Sequence, residues 1–224
     1  MSDFKLTHKK ASKLSEYVAL RITKLLKFTL NIFYGKKYAK RAVILETIAA
    51  VPGMVAGMFN HLKALRRMKD DEGWIRELLD EAENERMHLM IFLDIAKPSL
   101  IERLLVLLGQ GVFILVYSFI YLLSSKIAHR VVGYFEEEAC NSYTEYLEKI
   151  DSGEVENVPA PTLAVDYYKL PADAMLRDVI LRIREDEAGH RDRNHGFADA
   201  YEEKLFQPIS CKHEKQKEPR LRLF

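Results

Sequence analysis

Two of the seven histidines in the chain have a glutamate three residues before them, in Glu85-Arg86-Met87-His88 and Glu187-Ala188-Gly189-His190. On a helix, residues three apart are about 60° apart around the axis and one turn apart along it, so both side chains reach one cavity. Carboxylate oxygen combined with imidazole nitrogen is a donor set for a divalent metal such as iron. One such pair arises by chance on the order of once in a chain this long. Two pairs, each preceded by an amide or acid (Asn84 and Asp186), read as copies of one design.

A bundle that holds two irons takes one pair from each of two helices and one further glutamate from each of two others. Glu46 fits, in the apolar run Val43-Ile44-Leu45-Glu46-Thr47-Ile48-Ala49-Ala50, where an unpaired charge is costly to bury. The fourth helix offers Glu136-Glu137-Glu138. His129, Glu136 and Tyr143 recur at intervals of seven, about 20° short of two full turns, and so form one stripe. Glu136 is therefore the better choice of ligand, with an imidazole and a redox-capable phenol two turns to either side. Taken singly, Glu46 equally describes a satisfied buried acid, the three glutamates a solvated face and Tyr143 a core tyrosine. The joint pattern of six ligands on four helices in a consistent order outweighs those readings. His195, three residues after Asp192, imitates the motif weakly and is read as a neighbour of the site or a surface residue; His8, His61 and His213 are read as exposed.

The elements that must position these residues are helices. Alternating β-branched runs joined by tight turns are nearly absent, and long stretches keep helical periodicity between isolated Pro and Gly breakers. Helices are expected near 12–34, 41–68, 72–95, 99–123, 125–149 and 172–203. The Asp70-Asp71-Glu72-Gly73 turn, Lys97-Pro98-Ser99 and the stretch Asp151 to Pro171 are the connections. The fold expected is all-α: a ferritin-like di-iron four-helix bundle with additional membrane-surface helices. Residues 1–40 form a basic amphipathic arm and helix, 41–203 the bundle with an interfacial helix at 99–123, and 204–224 a charged tail.

Composition narrows the function classes. The 224 residues are 48% hydrophobic and 30% charged, which describes a folded chain with a sizeable core. With 34 Lys+Arg against 33 Asp+Glu the net charge is +1, so nucleic acid is not an expected partner. Cys140 and Cys211 lie far apart, which excludes a disulfide framework and a cysteine zinc site and suggests a reducing compartment. No secretory signal is read at the start. Residues 1–41, however, hold eleven Lys/Arg against Asp3 and Glu16, net +9, leaving the remainder net −8. Ile22, Leu25, Leu26, Phe28, Leu30, Ile32 and Phe33 are interleaved with those cations, a pattern that suits an anionic bilayer surface as well as an ordinary surface helix.

Together the segments Leu45-Glu46-Thr47, Asn84-Glu85-Arg86-Met87-His88-Leu89, Glu136-Glu137-Glu138-Ala139 and Arg184-Glu185-Asp186-Glu187-Ala188-Gly189-His190 resemble the four helix motifs of the alternative oxidases, the cyanide-insensitive ubiquinol oxidases. The resemblance runs from about Arg21 to about Asp199, with all four motifs in order. It implies that Glu46, Glu85, His88, Glu136, Glu187 and His190 hold two iron ions per chain. It further implies that Tyr143 is the catalytic tyrosine, that Asn84, His129 and Asp186 support the ligands, and that Arg41, Leu45, Glu138, Ala139 and Ser142 line a quinol pocket. Glu138 and Ser142, four apart, also share a face distinct from the iron stripe. This chain departs from the family at Gly189, usually His, at Tyr168, usually Trp, and at Asn31, commonly an acid. It lacks the regulatory cysteine of the plant enzymes, so thiol-linked activation is not expected, and its start looks closer to a bacterial member or a chain without its transit peptide.

From Leu104 to Leu123 there is no charged residue, and twenty residues at 1.5 Å rise reach about the 30 Å of a bilayer core. A single crossing would put His88 and Glu136 on opposite faces, and no second uncharged stretch lies between them to bring the chain back. A shared metal site therefore demands a monotopic protein, with the basic first helix and the apolar fourth helix in one leaflet of an energy-transducing membrane, bacterial cytoplasmic or mitochondrial inner. The expected activity is a ubiquinol:oxygen oxidoreductase, a terminal oxidase that reduces O2 to water without pumping protons, with Tyr143 lending an electron. Its partners are ubiquinol, O2, an anionic bilayer and a second copy in a homodimer. The alternative enzyme is a di-iron quinone-biosynthesis hydroxylase; the non-enzymatic rival is an iron-storage or scaffold bundle.

Overall fold

Helical periodicity between widely spaced breakers produces seven helices in the described part of the computed structural model, which comprises residues 6–34, 37–71 and 73–202. They are α1 (Leu14–Tyr34), α2 (Tyr38–Arg67), α3 (Trp74–Ala96), α4 (Leu100–Leu123), α5 (Ser125–Asp151), α6 (Thr162–Tyr168) and α7 (Leu176–Glu202). No strand occurs among the described residues; an isolated antiparallel bridge, Pro159 to Met175, closes the loop that carries α6. The segment 151–171, expected as a connection only, thus contains a short helix. The tail 204–224 with Cys211 and His213, and the side chain of Asn31, lie outside the described residues.

The bundle is made of two tight pairs, α2 on α3 and α5 on α7. Each pair approaches closely over a glycine. A Cβ on Gly53 of α2 would lie 2.3 Å from the Leu78 carbonyl oxygen of α3, and one on Gly133 of α5 would lie 2.4 Å from His195 Nδ1 of α7. A methyl group at Gly53 forces α2 and α3 apart, and one at Gly133 displaces the His195 ring. Two apolar layers then form along the bundle. Val43, Ile91, Phe92, Tyr143, Ile180 and Ile183 belong to one, and Val51, Val55, Trp74, Leu78, Val132 and Phe197 to the other. On every one of the four helices, the expected ligands fall between these two sets of positions.

α4 starts with a reciprocal cap, in which Ser99 N donates to Glu102 Oε2 at 2.7 Å and Glu102 N to Ser99 Oγ at 3.3 Å. One extended residue, Ser124, separates α4 from α5 and accepts from Ile127 N. Both α2 and α4 are long and apolar enough to cross a bilayer, yet in their most apolar stretches 67% of α2 is buried and only 11% of α4. α2 is thus a core helix. α4 rests on the bundle through buried Tyr117 and Tyr121 and leaves Leu104, Leu108, Leu115, Phe119 and Leu122 exposed.

The amino-terminal arm is strapped across α5 and α7. His8 Nδ1 lies 2.5 Å from Glu137 Oε2, Lys9 N donates to Glu137 Oε1 at 2.9 Å, and Lys9 Nζ to Asp199 Oδ2 at 2.6 Å. Arg130, 1% exposed, ties the arm to both helices, since its guanidinium contacts Glu16, Asp199 and His195. Burial raises the Asp199 pKa, but bonds from Lys9 and Arg130 outweigh it and hold the carboxyl below its ordinary range. A depressed carboxylate pKa contributes stability that is complete above the unfolded value, near 4, and lost as pH falls through the folded value. The protection factors of the amides of residues 8–13, measured against intrinsic exchange at each pH, are therefore expected to stay high at pH 6 and fall progressively below about pH 4, and to be lower in Asp199→Asn already at pH 6; identical protection in that variant would contradict the strap.

Candidate metal centre

Glu46 of α2, Glu85 and His88 of α3 and Glu187 of α7 bring one donor atom each within 4.8 Å of one another, all buried. His88 Nδ1 faces this group, 3.3 Å from Glu46, 3.2 Å from Glu187 and 3.5 Å from Glu85. Its Nε2 lies 3.1 Å from Asp186 Oδ2. That contact assigns one proton to Nε2; once Nδ1 gives up its own proton, its lone pair is aimed at the carboxylates, the arrangement of a metal-bound histidine with an outer partner. His190 Nδ1 is 2.5 Å from Glu85 Oε1 and 3.8 Å from Glu187 Oε2. Glu136 of α5, 1% exposed, faces the same group.

These polar atoms are close to one another without satisfying one another. Both oxygens of Glu85 and of Glu187, Glu136 Oε2 and His190 Nδ1 are buried, and their contacts with one another lack the alignment of a hydrogen bond. Burial, then the charges of Glu187 and Glu85, push the pKa of Glu46 and of Glu136 well above the carboxylate range. Burial opposes a charged imidazole, but the surrounding acids outweigh it and raise His88 and His190 well above the ordinary histidine value. A protein that stored protons here would leave these orphan lone pairs uncompensated. Four carboxylates and two imidazoles instead match two divalent cations in charge, and a hard oxygen-rich set suits iron. The residues fit a di-iron group on both counts.

The surrounding shell comes from α6 as well as the bundle. Asp186 Oδ2 accepts from His88, from Asn84 Nδ2 at 3.1 Å and from Tyr168 at 2.8 Å, while Asn84 also reaches Tyr167 at 2.8 Å. Tyr143 donates to Glu46 Oε1 and stacks on Phe92 at 5.8 Å. His129 stands further off. Its Nδ1 meets Asn194 Oδ1 at 3.1 Å, and Asn194 Nδ2 donates to Glu81 Oε1 at 2.7 Å. Burial lowers the His129 pKa to about 4, so this imidazole is neutral. Glu81 and Asn194 are absent from the sequence reading. Glu81 is 2% exposed and burial raises its pKa; its signal was the 81/85/88 spacing on one helical face.

A cavity opens beside the cluster, lined by Lys27, Arg41, Leu45, Glu138, Asn141, Ser142 and Glu145. Arg41 Nη2 donates to Ser142 Oγ at 2.6 Å and lies 3.6 Å from Glu145 Oε2. Four of the five expected pocket residues meet here. The fifth, Ala139, does not line the cavity: it is one position past Glu138, about 100° around α5, and packs in the core with Tyr143 and Ile91. His195 also departs from expectation, since it is buried and bridges Glu137 Oε1 at 2.9 Å and Arg130 Nη1 at 2.9 Å. Gly189 is exposed and an added Cβ would meet nothing within 4 Å, so this departure leaves the ligands undisturbed.

Four helices that converge carboxylates and histidines on one buried point form a helical bundle of the kind suited to a pair of metal ions. The sequence profile described as alternative oxidase matches residues 1–199, and the chain belongs to that family. It is 57% identical over 178 residues to "Ubiquinol oxidase 2, mitochondrial" of Nicotiana tabacum, covering 80% of this chain and 60% of that protein. It is 53% identical over 194 residues to "Ubiquinol oxidase 1c, mitochondrial" of Arabidopsis thaliana, covering 87% and 59%. To "Ubiquinol oxidase, mitochondrial" of Batrachochytrium dendrobatidis it is 54% identical over 192 residues, covering 86% and 61%. The chain thus spans about three fifths of the length of these relatives.

Two substitutions separate holding metal from using it. Glu136→Ala should lose most bound iron, whereas Tyr143→Phe should keep the wild-type iron content and lose turnover. Full turnover in the phenylalanine variant would remove the tyrosine from the chemistry.

Proposed function

We propose that the chain is a ubiquinol:oxygen oxidoreductase that reduces O2 to water and moves no proton across the membrane. The observation that carries this reading is the buried set of carboxylate oxygens without hydrogen bonds around His88 and His190. The relatives' names add the substrate, ubiquinol, and favour the oxidase over the hydroxylase. In the proposed assignment Glu46, Glu85, His88, Glu136, Glu187 and His190 hold two irons, which supply electron storage and open positions for dioxygen. Two quinols reduce one O2 to two waters, four electrons in all.

The chain's own residues then have distinct tasks. Glu138 accepts from a ring hydroxyl, Arg41 and Ser142 orient the ring, and Leu45 packs against it. Tyr143, bonded to Glu46, lends an electron and its phenolic proton during oxygen reduction. Asp186, with Asn84 and Tyr168, holds the His88 tautomer, and His129 steadies Glu81 through Asn194. Tyr117 and Tyr121 bind α4 to the bundle, which leaves its leucines, and the exposed Leu14, Tyr17, Leu25 and Phe28 of α1, open to lipid. That supports attachment to a single leaflet, by the relatives' names that of the mitochondrial inner membrane. Met54, Met58, Leu62 and Leu65 form an exposed stripe on α2 suited to a second copy in a homodimer.

Oxygen uptake by purified protein with a short-chain quinol, with and without cyanide, tests the activity. One O2 is expected per two quinols, insensitive to cyanide, with a quinone product that has gained no oxygen. A product heavier by one oxygen, or no quinol-dependent uptake, contradicts the proposal.

A further inference from the structure

The cavity beside Glu138 is small. Its volume is about 120 Å³, below the roughly 300 Å³ at which ligand pockets begin, so a substituted benzenediol ring enters only if a wall moves. Most of the wall is fixed. Arg41 and Leu45 sit on α2, and Glu138, Asn141, Ser142 and Glu145 on α5, helices locked together around Glu46 and Glu136, 2% and 1% exposed. The remaining lining side chain, Lys27, comes from α1 and is 48% exposed. Its ammonium lies 2.5 Å from Glu138 Oε2. One turn earlier α1 is anchored, since Thr23 is buried and Thr23 Oγ1 donates to the Val131 carbonyl of α5. Beside Lys27, Leu25 and Phe28 are 66% and 64% exposed. Lys27 is thus the lining side chain that comes from outside α2 and α5, and the one whose charge is held on Glu138.

We infer that Lys27 is a specificity-determining gate: its ammonium occupies the carboxylate acceptor that an incoming ring hydroxyl must use, and the ring seats when that hydroxyl replaces it on Glu138. The inference rests on reading the cavity as the quinol site. An ionised carboxylate only accepts hydrogen bonds. A reduced ring carries O–H donors and restores the bond that the displaced ammonium gave up. The oxidised ring carries carbonyl acceptors, restores nothing, and is expelled as Lys27 returns. The gate therefore admits the reduced form and releases the product.

The test is equilibrium binding of a short-chain benzoquinone to iron-loaded full-length protein, where no turnover occurs. A half-exposed ion pair is weak and screened by salt, so Lys27→Met should tighten the quinone Kd about two- to fivefold at unchanged iron content. Wild-type affinity should rise between about 0.05 and 0.5 M NaCl, and the variant should lose that dependence. An unchanged or weaker Kd in Lys27→Met overturns the gate. Ser142→Trp, which fills the cavity, separates the two claims. If it abolishes binding while Lys27→Met changes nothing, the gate fails and the cavity reading stands; if the quinone still binds to Ser142→Trp, the cavity reading itself fails.

Discussion

The structure depends on how a bundle core tolerates Glu46, Glu81, Glu85, Glu136 and Glu187, none more than 2% exposed. In water each is solvated; here the solvent is replaced by apolar layers above and below, and several oxygens accept no hydrogen bond. Burying that much negative charge unpaired is among the costliest things a fold can do. The remedy available to this chain is cationic. Protons are one source, and His88 and His190 are drawn towards their charged forms; divalent cations, where bound, would use lone pairs that hydrogen bonds leave idle. The close glycine contacts at Gly53 and Gly133 follow from the same requirement, since they bring α2 to α3 and α5 to α7 at the separation the cluster needs.

How much of this was legible in the amino-acid sequence follows from range. Local signals carried well: helical periodicity gave the α2, α3, α4, α5 and α7 segments within a few residues, and the Glu-x-x-His pairs met because i,i+3 spacing is a property of one helix. Glu46 and Glu136 were legible because an acid in an apolar run, or in phase with a histidine and a tyrosine, is chemically out of place. What escaped depends on partners distant in the chain. The strap from His8 and Lys9 to Glu137 and Asp199 joins residues more than 120 positions apart, and His195 is buried only because Gly133 leaves room for its ring. α6 is too short for periodicity to reveal, although its Tyr168 bonds Asp186. Ala139 was assigned to the cavity by resemblance, and the helical step past Glu138 turns it inward.

The second organising feature is the unequal burial of the apolar helices. α2 and α4 look alike in composition, but one threads the metal core and the other offers its leucines outward. α1 shares that outward character through Leu14, Tyr17, Leu25 and Phe28 and also supplies Lys27 to the cavity wall.

The central claim is that metal ions, two per chain, neutralise the buried acids. Titration of metal-free protein with ferrous iron under argon, with bound ions and released protons counted together, tests it most directly. Saturation at two ions per chain with net proton release is expected, because Glu46, Glu136, His88 and His190 hold protons that the metals displace. Saturation below two ions, or binding without proton release, would contradict it.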